Sequence, residues 1–262
     1  VFDIRDGQLL VGFNTSPTVA VGQPLSNYRI LSAKVFATIS RDKVFRYDPT
    51  PDPFNCYLPA SDPNFVADPD PDHPVEIYPV GYRYGFTTAT YAENTPFNPF
   101  GSPGQKSVRS SYAAQYENAN GTGALIDVSN NVQELPTQPR FESRPFAIGT
   151  CPEAPGDLVD VGTEYTFDIN LNDPGAIRYL RESLSGGRLN LMISSLAITS
   201  QQSSTTPAFW TKEGSTALGA VPARLSLTVC VGAPADWNCS GDVTVQDIFD
   251  FLACYFVRPL PC

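Results

Sequence analysis

The stretch Thr163–Leu196, TEYTFDINLNDPGAIRYLRESLSGGRLNLMISSL, changes periodicity twice. Tyr165, Phe167, Ile169 and Leu171 fall at alternate positions, the period of a half-buried strand. Asp173 then stands where a helix N-cap is wanted and Pro174 at the first helical position. Ile177, Leu180 and Leu184 recur at helical spacing, and Gly186-Gly187 closes the run. A strand pattern resumes in LNLMISSLAITS. The spacing therefore predicts strand, one amphipathic helix, strand.

Outward from this stretch, strand signals dominate. Tyr28–Asp42, YRILSAKVFATISRD, interleaves Ile30, Leu31, Ala33, Val35, Ala37 and Ile39 with polar residues. VFDIRDGQLLVGF at the start, VEIYPVGYRYGFT, GALIDVSNNV, RPFAIGTC and ARLSLTVCV also read as strands. SVRSSYAAQYENANG fits either a strand or a short helix. Between the second and third strands lies RYDPTPDPFNCYLPASDPNFVADPDPDHP, in which Asp-Pro recurs and no helix can form. It reads as a stiff, polyproline-like loop with solvated acids. The 25 prolines, excluded from helix interiors and central strands, point to many loops between short strands. The expected fold is mainly β: a jelly-roll-like β-sandwich over 1–233 with one internal helix, followed by a loop–helix tail over 234–262.

The formal net charge of −10 repels nucleic acid and anionic lipid, which excludes nucleic-acid binding. No apolar run is long enough to span a membrane. The six cysteines, Cys56, Cys151, Cys230, Cys239, Cys254 and Cys262, are widely spaced and form no C-x-x-C pair. They read as disulfides of an extracellular or cell-surface protein. The start on Val1 rather than Met reads as a processed, exported form.

The tail carries the most specific pattern. From Asp236, oxygen-bearing side chains fall at positions 1, 3, 5, 7, 9 and 12 of a calcium loop: Asp236, Asn238, Ser240, Asp242, Thr244 and Asp247. Gly241 sits at position 6, where the turn is sharp, and Val243 at position 8 is expected to point inward. Ile248, Phe251, Leu252 and Tyr255 then repeat at helical spacing. A unit this small has little core, so a metal and a disulfide from Cys239 to Cys254 or Cys262 are the expected staples.

DWNCSGDVTVQDIFDFLACYF, Asp236–Phe256, resembles one repeat of a type I dockerin, and in particular the dockerin-like tails of secreted planctomycete-type bacterial proteins. The family's loop reads Asp-x-Asn-x-Asp-Gly-x-x-Asn-x-x-Asp and occurs twice. Here one repeat is present, and Ser240 stands at position 5. The resemblance implies Ca2+ binding and docking to a cohesin-like partner. The segment TFDINLNDPGAIRYLRESLSGGRLNLMISSL is similar to secreted bacterial sandwich modules of the carbohydrate-binding-module type, which implies fold but not function.

Asp62, Asp68, Asp70 and Asp72 are the residues from which a second calcium site would be built. His73, the single histidine, reads as a solvated loop residue and excludes a conventional zinc enzyme. Glu76, Glu93, Glu117, Glu142, Glu164 and Asp168 are the possible sources of a hydrolytic carboxylate pair, most of them ordinary surface acids. Tyr82, Tyr84, Phe86 and Tyr91 are candidates for stacking on sugars. The expected function is a non-catalytic, calcium-stabilised structural protein that self-associates into an extracellular filament, surface layer or matrix, through addition of its opening strand, its tail, or both. The alternative is a polysaccharide-binding or adhesion module anchored by that tail.

Overall fold

The computed structural model describes residues 5–70, 72–96, 109–132, 138–199, 206–214 and 221–257. The chain is mainly β, a curled antiparallel sheet with a helix packed on it. The strands are β1 (Arg5–Asn14), β2 (Tyr28–Thr38), β3 (Glu76–Tyr82), β4 (Ser111–Tyr116), β5 (Leu125–Asp127), β6 (Ala147–Thr150), β7 (Glu164–Asp168), β8 (Arg188–Thr199) and β9 (Arg224–Val231). Helix α1 (Pro174–Ser185) lies between β7 and β8, and α2 (Val245–Val257) follows β9. The main path runs β1-β8-β3-β6-β7-β2-β9, with β4 on β3 and β5 on β4.

β6 is the corner that makes two halves one sheet. Its first two residues pair with β3 (Ile77↔Ala147, Glu76↔Ile148), its last two with β7 (Gly149↔Phe167, Thr150↔Thr166). A strand that changes partners in mid-course turns the sheet through a bend. Gly149 sits at that bend because a Cβ there would lie 2.7 Å from both the Phe167 and Tyr165 rings.

The strand–helix–strand pattern forms as the periodicity requires. Asp173 Oδ1 accepts hydrogen bonds from the N–H groups of Gly175 (2.6 Å) and Ala176 (3.3 Å), capping α1. Leu180 and Leu184 are fully buried. Tyr179 pins the helix to the sheet: its hydroxyl donates to Asn190 O (2.7 Å) and accepts from Val80 N–H (3.1 Å). SYAAQY resolves as strand β4, whereas GALIDVSNNV holds only the short β5 before a 3-10 turn at Val128–Val132.

β8 is buried on both faces. Leu189, Leu191 and Ile193 join the main core with Tyr28, Val35, Phe45, Tyr165 and Phe167. Met192 and Leu196 join a second cluster with Tyr57, Tyr78, Val80 and Val132. Tyr57 comes from the Asp-Pro loop, in a 3-10 turn at Phe54–Tyr57. That loop is therefore a lid on the second cluster. The expectation of solvated acids fails here, because Asp48 is 3% and Asp52 6% exposed.

β1 pairs with β8 from Arg5 to Asn14 within its own sheet, so it is committed at home rather than free to join a neighbour. Among the described residues no helix is long and apolar enough to cross a membrane.

Candidate functional site

The tail loop is closed by its two buried end carboxylates. Asp236 Oδ1 accepts from Ser240 N–H and Oδ2 from Gly241 N–H, both at 2.9 Å. Asp247 Oδ1 accepts from Asn238 N–H (3.1 Å), and Oδ2 from Thr244 N–H (2.7 Å) and Oγ1 (3.1 Å). Asn238 Oδ1 accepts from Ser240 N–H (3.0 Å), and Ser240 Oγ donates to Asp242 O (3.1 Å). Gly241, at φ +95°, makes the turn in the left-handed region. Donation from Thr244 and then Asn238 holds the Asp247 carboxyl below the usual carboxylate range. The carboxylates of Asp236, Asp242 and Asp247 do not all three converge within 4.8 Å of one another. Asp236 and Asp247 bind the loop's own N–H groups first, which leaves further lone pairs for a cation.

The staple differs from the expected one. Cys239 pairs with Cys230, the penultimate residue of β9, and so ties the loop to the sheet rather than to α2. Arg29 of β2 completes the joint: its guanidinium lies 4.6 Å from the Trp237 ring centroid and donates to Trp237 O. On its other side, Trp237 meets Phe251 edge-on at 5.1 Å. Val243, expected to point inward, is exposed, as are Ile248, Phe251, Leu252 and Tyr255.

Cys254 is disulfide-bonded, and Cys262 lies outside the described residues. Cys56 and Cys151 are free, which corrects the all-disulfide reading. Cys56 packs on the second cluster and Cys151 on the main core, so they belong to different layers. Burial pushes the Cys56 thiol up to about 12 and raises Cys151 as well.

The strongest convergence of acids lies in the Asp-Pro loop. Asp48, Asp52, Asp68 and Asp70 each offer an oxygen within 4.8 Å of the others, and Asp52 and Asp68 also converge with His73. Asp68 and Asp70 were legible as candidates. Asp62 and Asp72 do not take part. Asp62 closes its own turn by accepting from Asn64 N–H (2.8 Å), and Asp72 accepts from Arg46 N–H (2.6 Å). Their places are taken by Asp48 and Asp52 from the other end of the loop. The signal that would have found these is that both ends of the loop carry Asp-Pro steps and must return to adjacent points of the sheet.

His73 is half-buried rather than a free loop side chain: Nδ1 is paired with Asp52 and lies 3.8 Å from Asp68 Oδ2. Burial pulls its pKa down, but the bond and charge of Asp52 outweigh this and leave it raised. Burial pushes Asp48 up to about 6 and raises Asp68.

Glu76 is buried, against its expected place among surface acids, and burial lifts it to about 8 while Tyr78 Oη donates to it. Glu93 pairs with Lys212 (2.8 Å), Asp168 with Lys34 (2.6 Å), and Glu164 with Arg224. Glu142 accepts from Phe54 N–H (3.2 Å) and Glu117 from Ala124 N–H (3.0 Å). Tyr82 and Phe86 both pack on Tyr91, which is edge-on to Phe86, while Tyr84 is exposed.

Compared with known proteins, the chain matches no family model, no curated sequence and no solved structure.

Proposed function

We propose that this chain is a non-catalytic, calcium-stabilised structural module of an extracellular assembly, and that it docks through its C-terminal loop and α2. The observation that carries this reading is the apolar surface that α2 leaves exposed among the described residues. Phe249 is 61% and Phe256 77% exposed, with Val245, Ile248 and Tyr255 beside them. A helix apolar on more than one face is normally buried, and an exposed patch of this kind marks an interaction surface.

The joint at Cys230–Cys239 and Arg29–Trp237 supports the same reading, because it couples whatever α2 binds to the end of the sheet. The occupant is the α2 face of a second copy, packed helix on helix. Growth beyond a dimer needs a second surface. β1 and β9 end the sheet order, and a groove of about 640 Å3 lies between Gly12–Thr15 of one and Ala223–Val229 at the other. An added strand would run there, with β1 as acceptor rather than donor. Calcium in the tail loop would hold Asp236 and Asp247 in place and fix the angle of α2. The disulfides accord with an oxidising, extracellular setting.

The test is sedimentation and negative-stain microscopy of the full chain with calcium and with chelator, beside a Phe249→Asp/Phe256→Asp variant. Calcium-dependent association that the variant loses supports the reading. Monomers under every condition, at concentrations well above micromolar, overturn it.

A further inference from the structure

We propose that Asp48, Asp52, Asp68 and Asp70 form a hard divalent-cation site of calcium type beneath the Asp-Pro loop, separate from the tail. Two observations point there independently. The first is the convergence of four carboxylates, each with an oxygen within 4.8 Å of the rest. The second is an unmet demand inside it. Asp48 is 3% exposed, and its Oδ2 is buried without a hydrogen-bond partner, as is Oδ1 of Asp70.

The remaining oxygens show how the site is held. Thr50 joins two of the acids: its N–H and Oγ1 both reach Asp48 Oδ1 at 2.7 Å, and Oγ1 lies 3.0 Å from Asp70 Oδ2. Each of these carboxylates thus has one oxygen fixed by threonine and the other buried without a donor. Tyr57 Oη donates to Asp52 Oδ2 (3.1 Å), and His73 sits on the same carboxylate. His73 is the one cationic side chain found paired with this cluster among the described residues. One imidazolium does not balance four acids, and a buried carboxylate without charge or donor is costly. A cation removes both deficits at once. The converging ligand atoms are carboxylate oxygens with one imidazole beside them, which fits calcium-class ions rather than zinc.

The consequence is structural. Asp48 and Asp52 precede the Phe54–Tyr57 turn and Asp68 and Asp70 follow it, so a bound ion clips the two legs of the loop together. Tyr57, which fills the second cluster, is held from both sides. This site is independent of the tail's role, and each can fail alone.

The experiment is calcium titration calorimetry on the full chain with disulfides intact, paralleled by tyrosine-sensitised Tb3+ luminescence, for which Tyr57 is a donor beside Asp52. Three proteins are compared: wild type, Asp48→Asn/Asp70→Asn, and the tail variant Asp236→Ala. The expected result is that the tail variant keeps a calcium site that the loop variant lacks or binds about tenfold or more weakly. The loop variant should also lose the part of the Tb3+ luminescence that the tail variant keeps, and the calcium-dependent protection of 55–70 from protease. Melting in chelator shows that it folds, since removing like charges there does not cost stability. Unchanged stoichiometry and affinity in the loop variant, or no calcium binding by the tail variant, overturns the proposal.

Discussion

Replacing Glu76 by glutamine should stabilise the protein at alkaline pH and leave it nearly unchanged at acid pH. Glu76 sits in β3, paired to Ile148 on one side and Ser194 on the other, and is 2% exposed. Burial is the first cause of its raised pKa, about 8 against 4.5; the charges of Asp52 and Asp48 add to it, and the Tyr78 hydroxyl and His73 oppose it. Between pH 4.5 and about 8 the unfolded chain has lost this proton and the native chain keeps it. The native state binds more protons, so its stability falls as pH rises through that window and is flat above it. The gap corresponds to at most roughly 5 kcal/mol, at about 1.4 kcal/mol per pH unit. Glutamine is the isostere of the neutral acid, accepts the same bond from Tyr78, and carries no proton to lose. The difference in unfolding free energy between variant and wild type should therefore grow from near zero below pH 4.5 to several kcal/mol above pH 8. Urea unfolding in chelator measures it, because titration of groups that do not interact with Glu76 cancels in the difference and no cation perturbs the neighbouring acids. A difference that does not change with pH would falsify the assignment of Glu76 as a neutral, buried acid.

Three further perturbations test the frame. Cys239→Ser opens the short loop to Cys230 and should cost about 2–3 kcal/mol of tail stability, seen as early proteolysis between Val231 and Asp247. Tyr179→Phe orphans Val80 N–H and Asn190 O in the interior, and urea denaturation should show a loss of about 2–4 kcal/mol; a loss near zero would mean α1 is not pinned there. Cys56 and Cys151 should react slowly with a thiol reagent in the native protein and promptly after denaturation without reductant, and a Cys56 that modifies at once in the native state would contradict its burial-raised pKa.

Local patterns carried most of the fold. The period-2 runs became β2, β7, β8 and β9, and Asp173-Pro174 with Gly186-Gly187 bounded α1, because capping and alternation act within a few residues. Pairing was not legible. That β6 serves both β3 and β7, and that β8 is buried on both faces, depends on strands far apart in sequence.

The candidate sites divide in the same way. The tail loop spans twelve consecutive positions, so the spacing of Asp236, Asn238, Ser240, Asp242, Thr244 and Asp247 could be read directly, and the structure closes that loop on Asp236 and Asp247. The Asp-Pro cluster draws on both legs of a loop. Sequence alone offered Asp62, Asp68, Asp70 and Asp72 from one side of the loop, while in the folded chain Asp62 closes its own turn, Asp72 accepts from Arg46 N–H, and Asp48 and Asp52 take their places. The sequence by itself determined a β-rich chain with one capped helix and an acidic loop–helix tail, since these rest on local geometry. Tertiary structure alone decided which cysteine staples the tail, which acids meet, that Glu76 leaves water and that His73 pairs with Asp52, because each depends on what a distant segment places beside them.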